Sequence, residues 1–217
     1  MAYTTIDDPL QYFNTVLYTG TGSSTNVTGV GFNPDWVWIK CRSHDVTDHV
    51  WFDRVRGAGQ RLVSGDTGAE ETQTGIMSAF VTDGVTVGTG GASNGSSRTY
   101  AMWSWLAGGS ASSNSNGSIT ANVSANQTAG FSIVSYTGNG SNSTIGHGLG
   151  AVPKWIIVKV RNASNNWIVQ HSSLGATKRL LLDGTQASAS ASTFFNNTDP
   201  TSSVFSVGTE DVTNNNG

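Results

Sequence analysis

Alternation of apolar and polar residues is the dominant pattern of this chain. Residues 36–42 are WVWIKCR, and Val37, Ile39 and Cys41 share one face of an extended strand, because side chains two apart point the same way. The opposite face carries tryptophan, lysine and arginine. The pattern predicts an antiparallel strand with one buried face.

Much of the first half of the chain recurs in the second half. Residues 13–40 are FNTVLYTGTGSSTNVTGVGFNPDWVWIK, and residues 131–159 are FSIVSYTGNGSNSTIGHGLGAVPKWIIVK. The matches include the phenylalanine, the Tyr-Thr-Gly-x-Gly-Ser turn and the Pro-x-Trp-x-x-x-Lys strand. An internal repeat of this length predicts two units built to one plan.

Short alternating segments separated by Gly, Asn, Ser and Asp continue through both halves. The predicted strands are 13–18, 36–42, 49–53, 61–64, 76–81, 84–88 and 100–105, then 131–136, 155–161, 166–170, 178–183, 193–195 and 203–208. Many short strands at close spacing are typical of a sandwich. We therefore expect an all-β protein of tandem antiparallel β-sandwich units.

The repeat divides the chain into four segments. Residues 1–12 form a lead-in with a turn at its Asp-Asp-Pro, 13–107 form the first repeat, 108–129 a Gly/Ser/Asn-rich linker, and 130–217 the second repeat. Residues 119–129 either add a strand or continue the linker, and the pattern leaves both open.

The second repeat lacks a counterpart of the closing strand 100–105. Its last residues, Asn216 and Gly217, align with Asn94 and Gly95. A sandwich without its closing strand has an open edge. We expect that the natural chain continues beyond Gly217, which we favour, or that another segment or subunit supplies the strand.

Composition excludes several classes of function. The net charge of −3 and the pI near 5.7 provide no basic stripe, so no nucleic-acid partner is expected. No apolar run approaches a membrane span, so no membrane insertion is expected. The Gly-x-Gly turns precede no helical pattern, which argues against a nucleotide site, and no cofactor is expected. Cys41 is the single cysteine, expected to be a small buried residue.

Acidic residues and histidines provide weak candidates for chemistry. Hydrolysis of a glycan needs two converging carboxylates. The candidates are Asp53, Asp66, Glu70 and Glu71. No catalytic motif accompanies them, and we expect no enzyme.

Candidate metal ligands lie in one short polar stretch. They are His44, Asp45, Asp48, His49 and Asp53. Their spacing matches no known metal motif, so a polar loop is the favoured interpretation and no metal is expected.

Tryptophans crowd the first repeat and are the strongest binding candidates. They are Trp36, Trp38, Trp51, Trp103 and Trp105. Trp36 and Trp38 share an orientation with Lys40, and aromatic faces beside polar groups bind sugar rings or protein surfaces. The favoured alternative is that they cover the second face of a sandwich or the boundary between the units.

Three further aromatic residues are weaker candidates for ligand binding. Tyr18 and Tyr136 each precede a glycine turn, and Trp155 repeats Trp36. For the two tyrosines, an anchoring role in the turn is the favoured interpretation.

Taken together, these segments resemble a family of repetitive virion proteins of tailed phages, especially marine ones, known as tail-fibre or structural proteins. The similarity rests on the lead-in AYTTIDDP, the F-x-x-V-x-Y-T-G-x-G turn, the P-x-W-x-x-x-K strand, the RGA and GATKRL segments, and the connector AGGSASSNSNGS. The resemblance implies a virion location, with assembly in the host cytoplasm, and a sandwich unit of jelly-roll or lectin-like type. It also implies a homo-oligomer, a trimer by analogy.

The expected function is that of a noncatalytic virion protein, a tail-fibre or surface-appendage module for host attachment. The expected partners are other virion proteins and host cell-surface glycan. One alternative is a structural or capsid-decoration protein without a ligand. The other is a polysaccharide-degrading tailspike enzyme, which exposed acidic pairs along a groove would favour.

Overall fold

The protein is described here from a computed structural model that covers residues 6–44 and 47–216. It is an all-β protein of antiparallel sheets, which confirms the predicted fold class. The described residues cluster into two compact units. The first is formed by Met1–Val63 and Glu70–Ser110, the second by Ser64–Ala69 and Ala111–Gly217.

The first unit is a β-sandwich. Its strands are β1 (Phe13–Thr19), β2 (Thr25–Thr28), β3 (Trp36–Cys41), β4 (His49–Asp53), β5 (Gln60–Val63), β6 (Glu71–Thr72), β7 (Met77–Val81), β8 (Gly84–Val87) and β9 (Thr99–Trp105). One sheet has the order β1-β9-β3-β4-β5-β6 and the other β2-β8-β7. Short helices, the 3-10 helix Pro9–Gln11 and α1 (Gly91–Asn94), complete the unit.

The core of the first unit lies between its two sheets. Alternate residues of β3 point inward as predicted, and Val37, Ile39 and Cys41 are buried against Met77 and Val85 of the smaller sheet. Burial of such apolar side chains is the main favourable contribution to folding. The apolar positions along β3 are therefore the ones that pack in the core.

The second unit has its strands in three separate sheets. The strands are β10 (Ser112–Asn114), β11 (Ala121–Asn126), β12 (Phe131–Tyr136), β13 (Ser143–Gly146), β14 (Trp155–Val158), β15 (Ile168–His171), β16 (Lys178–Leu181), β17 (Ala189–Ser190) and β18 (Val204–Val207). The orders are β10-β11-β12, β13-β18 and β14-β15-β16-β17, and α2 (Asp211–Asn214) follows.

The predicted linker is largely folded, which corrects the division made from composition. β10 and β11 lie within 108–129 and pair with β12. Ala121 and Val123 are buried in the core of the second unit. Because these side chains are small and lie among Ser and Asn, the apolar alternation is weak in the sequence. The structure shows that residues 119–129 contribute a strand.

A loop of the first repeat also belongs to the second compact unit. Ser64–Ala69 was assigned by sequence to the first repeat, 13–107. In the structure Asn165 N donates to Thr67 O (2.9 Å) and Trp167 Nε1 donates to Asp66 O (3.2 Å). These bonds involve backbone carbonyls, which carry no signal in a side-chain pattern.

Two kinds of strand prediction were wrong. The predicted strand 193–195 is a turn, in which Phe194 N and Phe195 N both donate to Ala191 O, and Phe195 is buried without belonging to a sheet. The apolar pair was mistaken for a strand face. β2 and β13 were missed because Thr, Asn and Gly dominate them.

A buried asparagine holds the same turn in each unit. Asn94 Nδ2 donates to Ser23 O and Gly88 O, and its Oδ1 accepts from Thr21 N. Asn214 makes the same three bonds. Asn214, rather than Asn216, is thus the counterpart of Asn94, which corrects the alignment by two residues.

Candidate functional site

The outer face of the larger sheet of the first unit carries a grid of aromatic side chains, which we call the aromatic face. Four neighbouring strands, β1, β9, β3 and β4, contribute their outward residues to it. Cross-strand register places these residues in three rows: Phe13, Trp105, Trp36 and Asp53; Thr15, Trp103, Trp38 and Trp51; and Leu17, Ala101, Lys40 and His49.

The tryptophan rings of the aromatic face are in direct contact. Trp36 lies 4.1 Å from Trp105 and 4.7 Å from Trp51, measured between ring centroids. Trp38 lies 5.2 Å from Trp51 and 5.5 Å from Trp103. Tilted and edge-on contacts at these distances are the favoured geometries for aromatic pairs. The rings therefore hold one another in place.

Exposure increases across the grid from β4 towards β1. Trp51 is 6% exposed, whereas Trp36, Trp38, Trp103 and Trp105 are partly exposed. On β1, an edge strand, Thr15 is exposed and Leu17 is 62% exposed. The aromatic face is thus a supported surface, buried at one end and open at the other.

Polar groups stand at one margin of the aromatic face. Trp38 Nε1 donates to His49 Nδ1 (3.0 Å), and Lys40 Nζ donates to Thr47 O (2.5 Å). Burial lowers the pKa of His49, and the Lys40 cation lowers it further against the opposing effect of Asp48. His49 therefore remains a neutral acceptor that orients the indole of Trp38.

The other margin is an ion cluster centred on Arg56. Its guanidinium pairs with Asp53 and with Glu70 (2.9 Å), and all three side chains are nearly buried. It also donates to Gln60 O at 3.1 Å. Paired in this way, the two carboxylates support the strand ends around Trp36 and Trp51.

The other two acidic candidates have different neighbours. Glu71 pairs with Arg61 at 2.6 Å, and this hydrogen bond lowers the pKa of the carboxyl. Asp66 accepts from Gly68 N within its own turn. Asp53 and Glu70 meet at Arg56, but Asp66 and Glu71 do not join them.

Two of the candidate metal ligands, Asp48 and His49, bond to other side chains. Within the described residues no group of three His, Cys, Asp or Glu side chains could hold a metal ion. Asp48 pairs with Arg61, and His49 accepts from Trp38. Asp45 lies outside the described residues.

Each of the two tyrosine candidates points into the core of its own unit. Tyr18 stacks on Tyr100 at 5.1 Å and donates its hydroxyl to Ser93 O, and Tyr136 donates to Thr213 O. Burial raises the pKa of both phenols. They anchor α1 and α2 to the sheets, rather than the glycine turns that follow them in sequence, and are not on an outer surface.

Trp155 is the counterpart of Trp36, but the outward residues around it do not form a grid of tryptophans. It is 55% exposed and its cross-strand partner is His171. The next outward pair of β14 and β15 is Ile157 with Val169, where the first unit has Trp38 with Trp51. The structure therefore joins Trp36 and Trp38 and leaves Trp155 outside the site.

Sequence reasoning missed the contribution of β1 to the aromatic face. Phe13 lies 4.8 Å from Trp105 and is itself exposed. The signal was available in the alternation FNTVLYT, in which Phe13, Thr15 and Leu17 share one face. What was not available was the identity of the neighbouring strand, β9, because it is distant in sequence.

No helix of the described residues is long and apolar enough to cross a membrane. Searches of curated proteins and of solved structures found no match to the chain. One family does match, over residues 8–217, and its description is Domain of unknown function (DUF7483). Because the match covers nearly the whole chain, this β-sandwich protein belongs to the DUF7483 family.

Proposed function

We propose that this protein is a noncatalytic phage virion protein, a tail-fibre or surface-appendage module that attaches to the host through its aromatic face. The observation that carries the proposal is the packing of Trp36, Trp38, Trp51, Trp103 and Trp105 on one outer face. The ligand that fits this chemistry is a host surface polysaccharide.

The aromatic face has the properties that sugar binding requires. The apolar side of a pyranose ring packs on an indole, while its hydroxyl groups bond to polar side chains nearby. Thr15 and Leu17 keep one side of the face open. Because the rings are held by each other and by His49, little conformational entropy is lost when a ligand binds.

Attachment by a fibre also depends on copy number. A shallow face binds each sugar segment weakly, and several linked copies convert weak contacts into firm attachment. The resemblance to phage virion proteins supplies the setting, a homo-oligomeric appendage that assembles with other virion proteins. The engagement of Asp53 and Glu70 by Arg56 supports a noncatalytic role, since neither carboxylate is free of its cation.

A structural role without a glycan ligand is the second candidate. The observation that favours it is the aliphatic and aromatic character of the open edge, where Leu17 is 62% exposed beside exposed Phe13. Large apolar side chains on a sheet surface suit a protein partner as well as a sugar. In that case the aromatic face packs on another virion protein.

The test is binding of the labelled protein to host-like bacteria and to their purified surface polysaccharide, with new reducing ends assayed in the same tubes. We expect retention without new reducing ends. Trp38→Ala should weaken binding by about 30-fold, the effect of a hot-spot truncation near 2 kcal/mol. The matched control Trp155→Ala should bind within about twofold of the unchanged protein.

A second variant separates binding from folding. Thr15→Arg adds a large exposed side chain beside Trp103 without touching the core, so it should reduce binding and leave the unfolding midpoint unchanged. Release of reducing ends would overturn the noncatalytic role. Retention that survives both Trp38→Ala and Thr15→Arg would remove the aromatic face from the function, and no retention at all would favour the structural role.

A further inference from the structure

One margin of the aromatic face carries two cations. Side chains of β3 alternate between its faces, so Trp36, Trp38 and Lys40 share the outer one. Arg42 follows in the same alternation, because its N–H donates to Thr99 O (2.7 Å) and continues the ladder between β3 and β9. Lys40 and Arg42 therefore lie on the same surface as the tryptophans.

The row beyond Lys40 adds hydroxyl groups to this margin. Thr19 of β1, Thr99 of β9 and Arg42 are cross-strand neighbours. Thr19 and Arg42 are exposed, and Thr99 is partly exposed. In the row of Lys40, Leu17 is 62% exposed. We call the outer surface formed by Leu17, Thr19, Thr99, Lys40 and Arg42 the cationic corner.

Neither cation of this corner pairs with a carboxylate in the part of the chain that the structure describes. Lys40 Nζ donates to Thr47 O (2.5 Å), a neutral acceptor, and an ammonium group has two further protons to donate. The ion pairs among the described residues do not include Lys40 or Arg42. Asp48, which precedes His49, is paired with Arg61 at 3.2 Å. The cationic corner thus carries positive charge without a counterion from the described residues.

The corresponding lysine of the second unit has acidic neighbours. Lys159 is the counterpart of Lys40 and donates to two backbone carbonyl oxygens. Burial lowers the pKa of the Lys159 ammonium, while the charges of Asp183 and Asp66 act to raise it. The second unit therefore supplies carboxylates for its lysine. Among the described residues, the first unit pairs no carboxylate with Lys40.

Aromatic rings beside cations suit an acidic sugar, because one sugar unit then makes two kinds of contact. The apolar side of the ring packs on an indole. The carboxylate of the same unit accepts charge-assisted hydrogen bonds, which are roughly twice as strong as neutral ones. Outward residues of one strand are about 6.8 Å apart, so Trp38 and Lys40 lie within the span of one uronate unit. Thr19 and Thr99 can bond to its hydroxyl groups.

Single-stranded nucleic acid is the other anionic polymer that binds aromatic rings and cations together. It requires a positively charged groove that follows several consecutive phosphates. The cationic corner has two cations, and the whole chain has a net charge of −3. Separate carboxylates along a polysaccharide match isolated cations better than a continuous phosphate backbone does.

We infer that the aromatic face binds an acidic polysaccharide, in which Lys40 and Arg42 contact the carboxylate of a sugar unit and Trp38 contacts its ring. The inference rests on the proposed function, since it names the class of sugar that the same face binds. It adds that the protein selects acidic sugars over neutral ones, although its own net charge is negative.

The test compares matched pairs of oligosaccharides on the full chain. The probes are short oligosaccharides of alginate, polygalacturonate and hyaluronate, and the same molecules after each carboxylate is reduced to a primary alcohol. Calorimetry measures their affinity, and 15N NMR locates the contact. We expect at least one acidic probe to bind at least about tenfold more tightly than its reduced form, as one charge-assisted hydrogen bond requires. The amides of Lys40, Thr99 and Trp103 should shift.

Substitutions at the two cations test which side chains select the carboxylate. Lys40→Gln removes the charge and can still donate to Thr47 O, so the preference for the acidic probe should fall to about twofold or less. Lys40→Arg keeps a cation and should retain most of the preference. Arg42→Gln changes an exposed side chain, cannot disturb the core, and should weaken binding of the acidic probe by about threefold.

Lys154→Gln is the matched control for these variants. It removes an exposed lysine beside Trp155 of the second unit, and binding of the acidic probe should stay within about twofold of that of the unchanged protein. A similar loss for Lys154→Gln and Lys40→Gln would overturn the inference, because the effect would then be one of net charge alone.

The outcomes separate this inference from the proposed function. Equal affinity for acidic and reduced probes, lost in Trp38→Ala, would overturn the inference and leave the proposed function in place. So would retention on host polysaccharide without binding of any probe. Binding to neither would overturn both. A preference that survives both Lys40→Gln and Arg42→Gln, or tighter binding of oligothymidylate than of every sugar probe, would also overturn the inference.

Discussion

The two units of this protein hold the same turn by the same hydrogen bonds but differ in the middle of the main sheet. Asn94 and Asn214 satisfy the same turn and helix groups in each unit, and Tyr18 and Tyr136 anchor the same helix to it. The first unit then places β9 between its strands. In the second unit the counterparts of β1 and β3, which are β12 and β14, belong to different sheets.

The presence of β9 decides whether an aromatic face exists. β9 contributes Trp103 and Trp105, and it brings β1 beside β3 so that their outward residues form rows. In the second unit Trp155 has no such neighbours and is half exposed. The comparison teaches that the binding surface depends on strand order more than on any single tryptophan.

The largest expected difference between the units is at Arg56. Arg56→Leu should lower the free energy of unfolding of the first unit by about 3–5 kcal/mol, because it leaves Asp53 and Glu70 nearly buried without their cation. The second unit has His171 at the position of Asp53 and needs no such cation. Urea denaturation followed by tryptophan fluorescence measures the loss.

Arg56→Lys is the control for this prediction. Lysine keeps the positive charge but cannot bond to both carboxylates. We therefore expect a loss in the free energy of unfolding that is smaller than that of Arg56→Leu. A loss below about 1 kcal/mol for Arg56→Leu would mean that the cluster is solvated and contributes little, as exposed pairs do.

The turn asparagines should behave alike in the two units. Asn94→Ala and Asn214→Ala each remove three hydrogen bonds, among them the buried bond to Gly88 O or to Gly208 O, and each should lower the free energy of unfolding by about 2–3 kcal/mol. Amide exchange by NMR assigns each loss to its unit. Losses that differ by more than about 1.5 kcal/mol would contradict the shared role of the turn.

Equivalent core substitutions, next to β9 in the first unit and at the matching position in the second, should lower the free energy of unfolding by different amounts. Val37→Ala should lower the free energy of unfolding by about 2 kcal/mol, because Val37 is fully buried in the core beside β9. Ile156→Ala removes a larger side chain but should lower it by only about 1 kcal/mol, because that side chain is partly exposed. The measurement is urea denaturation of both variants with exchange to assign the unit. A loss for Ile156→Ala as large as that for Val37→Ala would contradict this prediction, because it would indicate that Ile156 is already fully packed.

The smallest expected effect is a loss of stability at mildly acidic pH in both units. Nδ1 of His49 accepts from Trp38 Nε1, and Nδ1 of His147 accepts from Leu149 N, so protonation would place a second donor in each bond. Burial is the main cause that lowers the pKa of each histidine below 6.5. Lys40 adds to the lowering at His49, while Asp48 opposes it there and Thr201 O opposes it at His147.

Because the folded pKa lies below the unfolded one, the unfolded chain takes up the proton first. Stability is therefore full above pH 6.5 and falls as the pH drops through the folded pKa values. The expected loss is below about 1 kcal/mol per histidine. Urea midpoints from pH 7.5 to 5 measure it, and His147→Gln should flatten the part that belongs to the second unit. A midpoint that rises towards pH 5 would contradict the assignment.

The strands with one apolar face were predictable from sequence. β3 has clean alternation and β9 is a run rich in aromatic residues, and the bounds of both strands agree with the prediction within one residue. β2, β11 and β13 were not assigned, because Thr, Ser, Asn and Ala carry a weak apolar signal even when Val123 and Ile145 are buried. Phe195 shows the converse, an apolar residue buried from a turn.

Of the candidate site, the sequence identified Trp36 and Trp38 and their shared face. It did not identify Phe13 and Leu17, since their place beside Trp105 and Ala101 depends on pairing between strands at opposite ends of the first unit. It also suggested Tyr18, Tyr136 and Trp155, which the structure places elsewhere. The local alternation of apolar and polar residues indicates which face of a strand a side chain occupies. The order of strands in the sheet decides which side chains lie next to it.

The sequence by itself determined that this protein is all-β, that two halves share a turn, and which residues of each strong strand point inward, because these follow from local alternation and glycine-containing turns. Tertiary structure alone decided that the tryptophans of the first unit form one surface, that Asp53 and Glu70 share Arg56, that β11 pairs with β10 and β12, and that Ser64–Ala69 belongs to the second unit. The physical reason is that these relations are set by backbone pairing between distant segments, and backbone groups are the same in every residue.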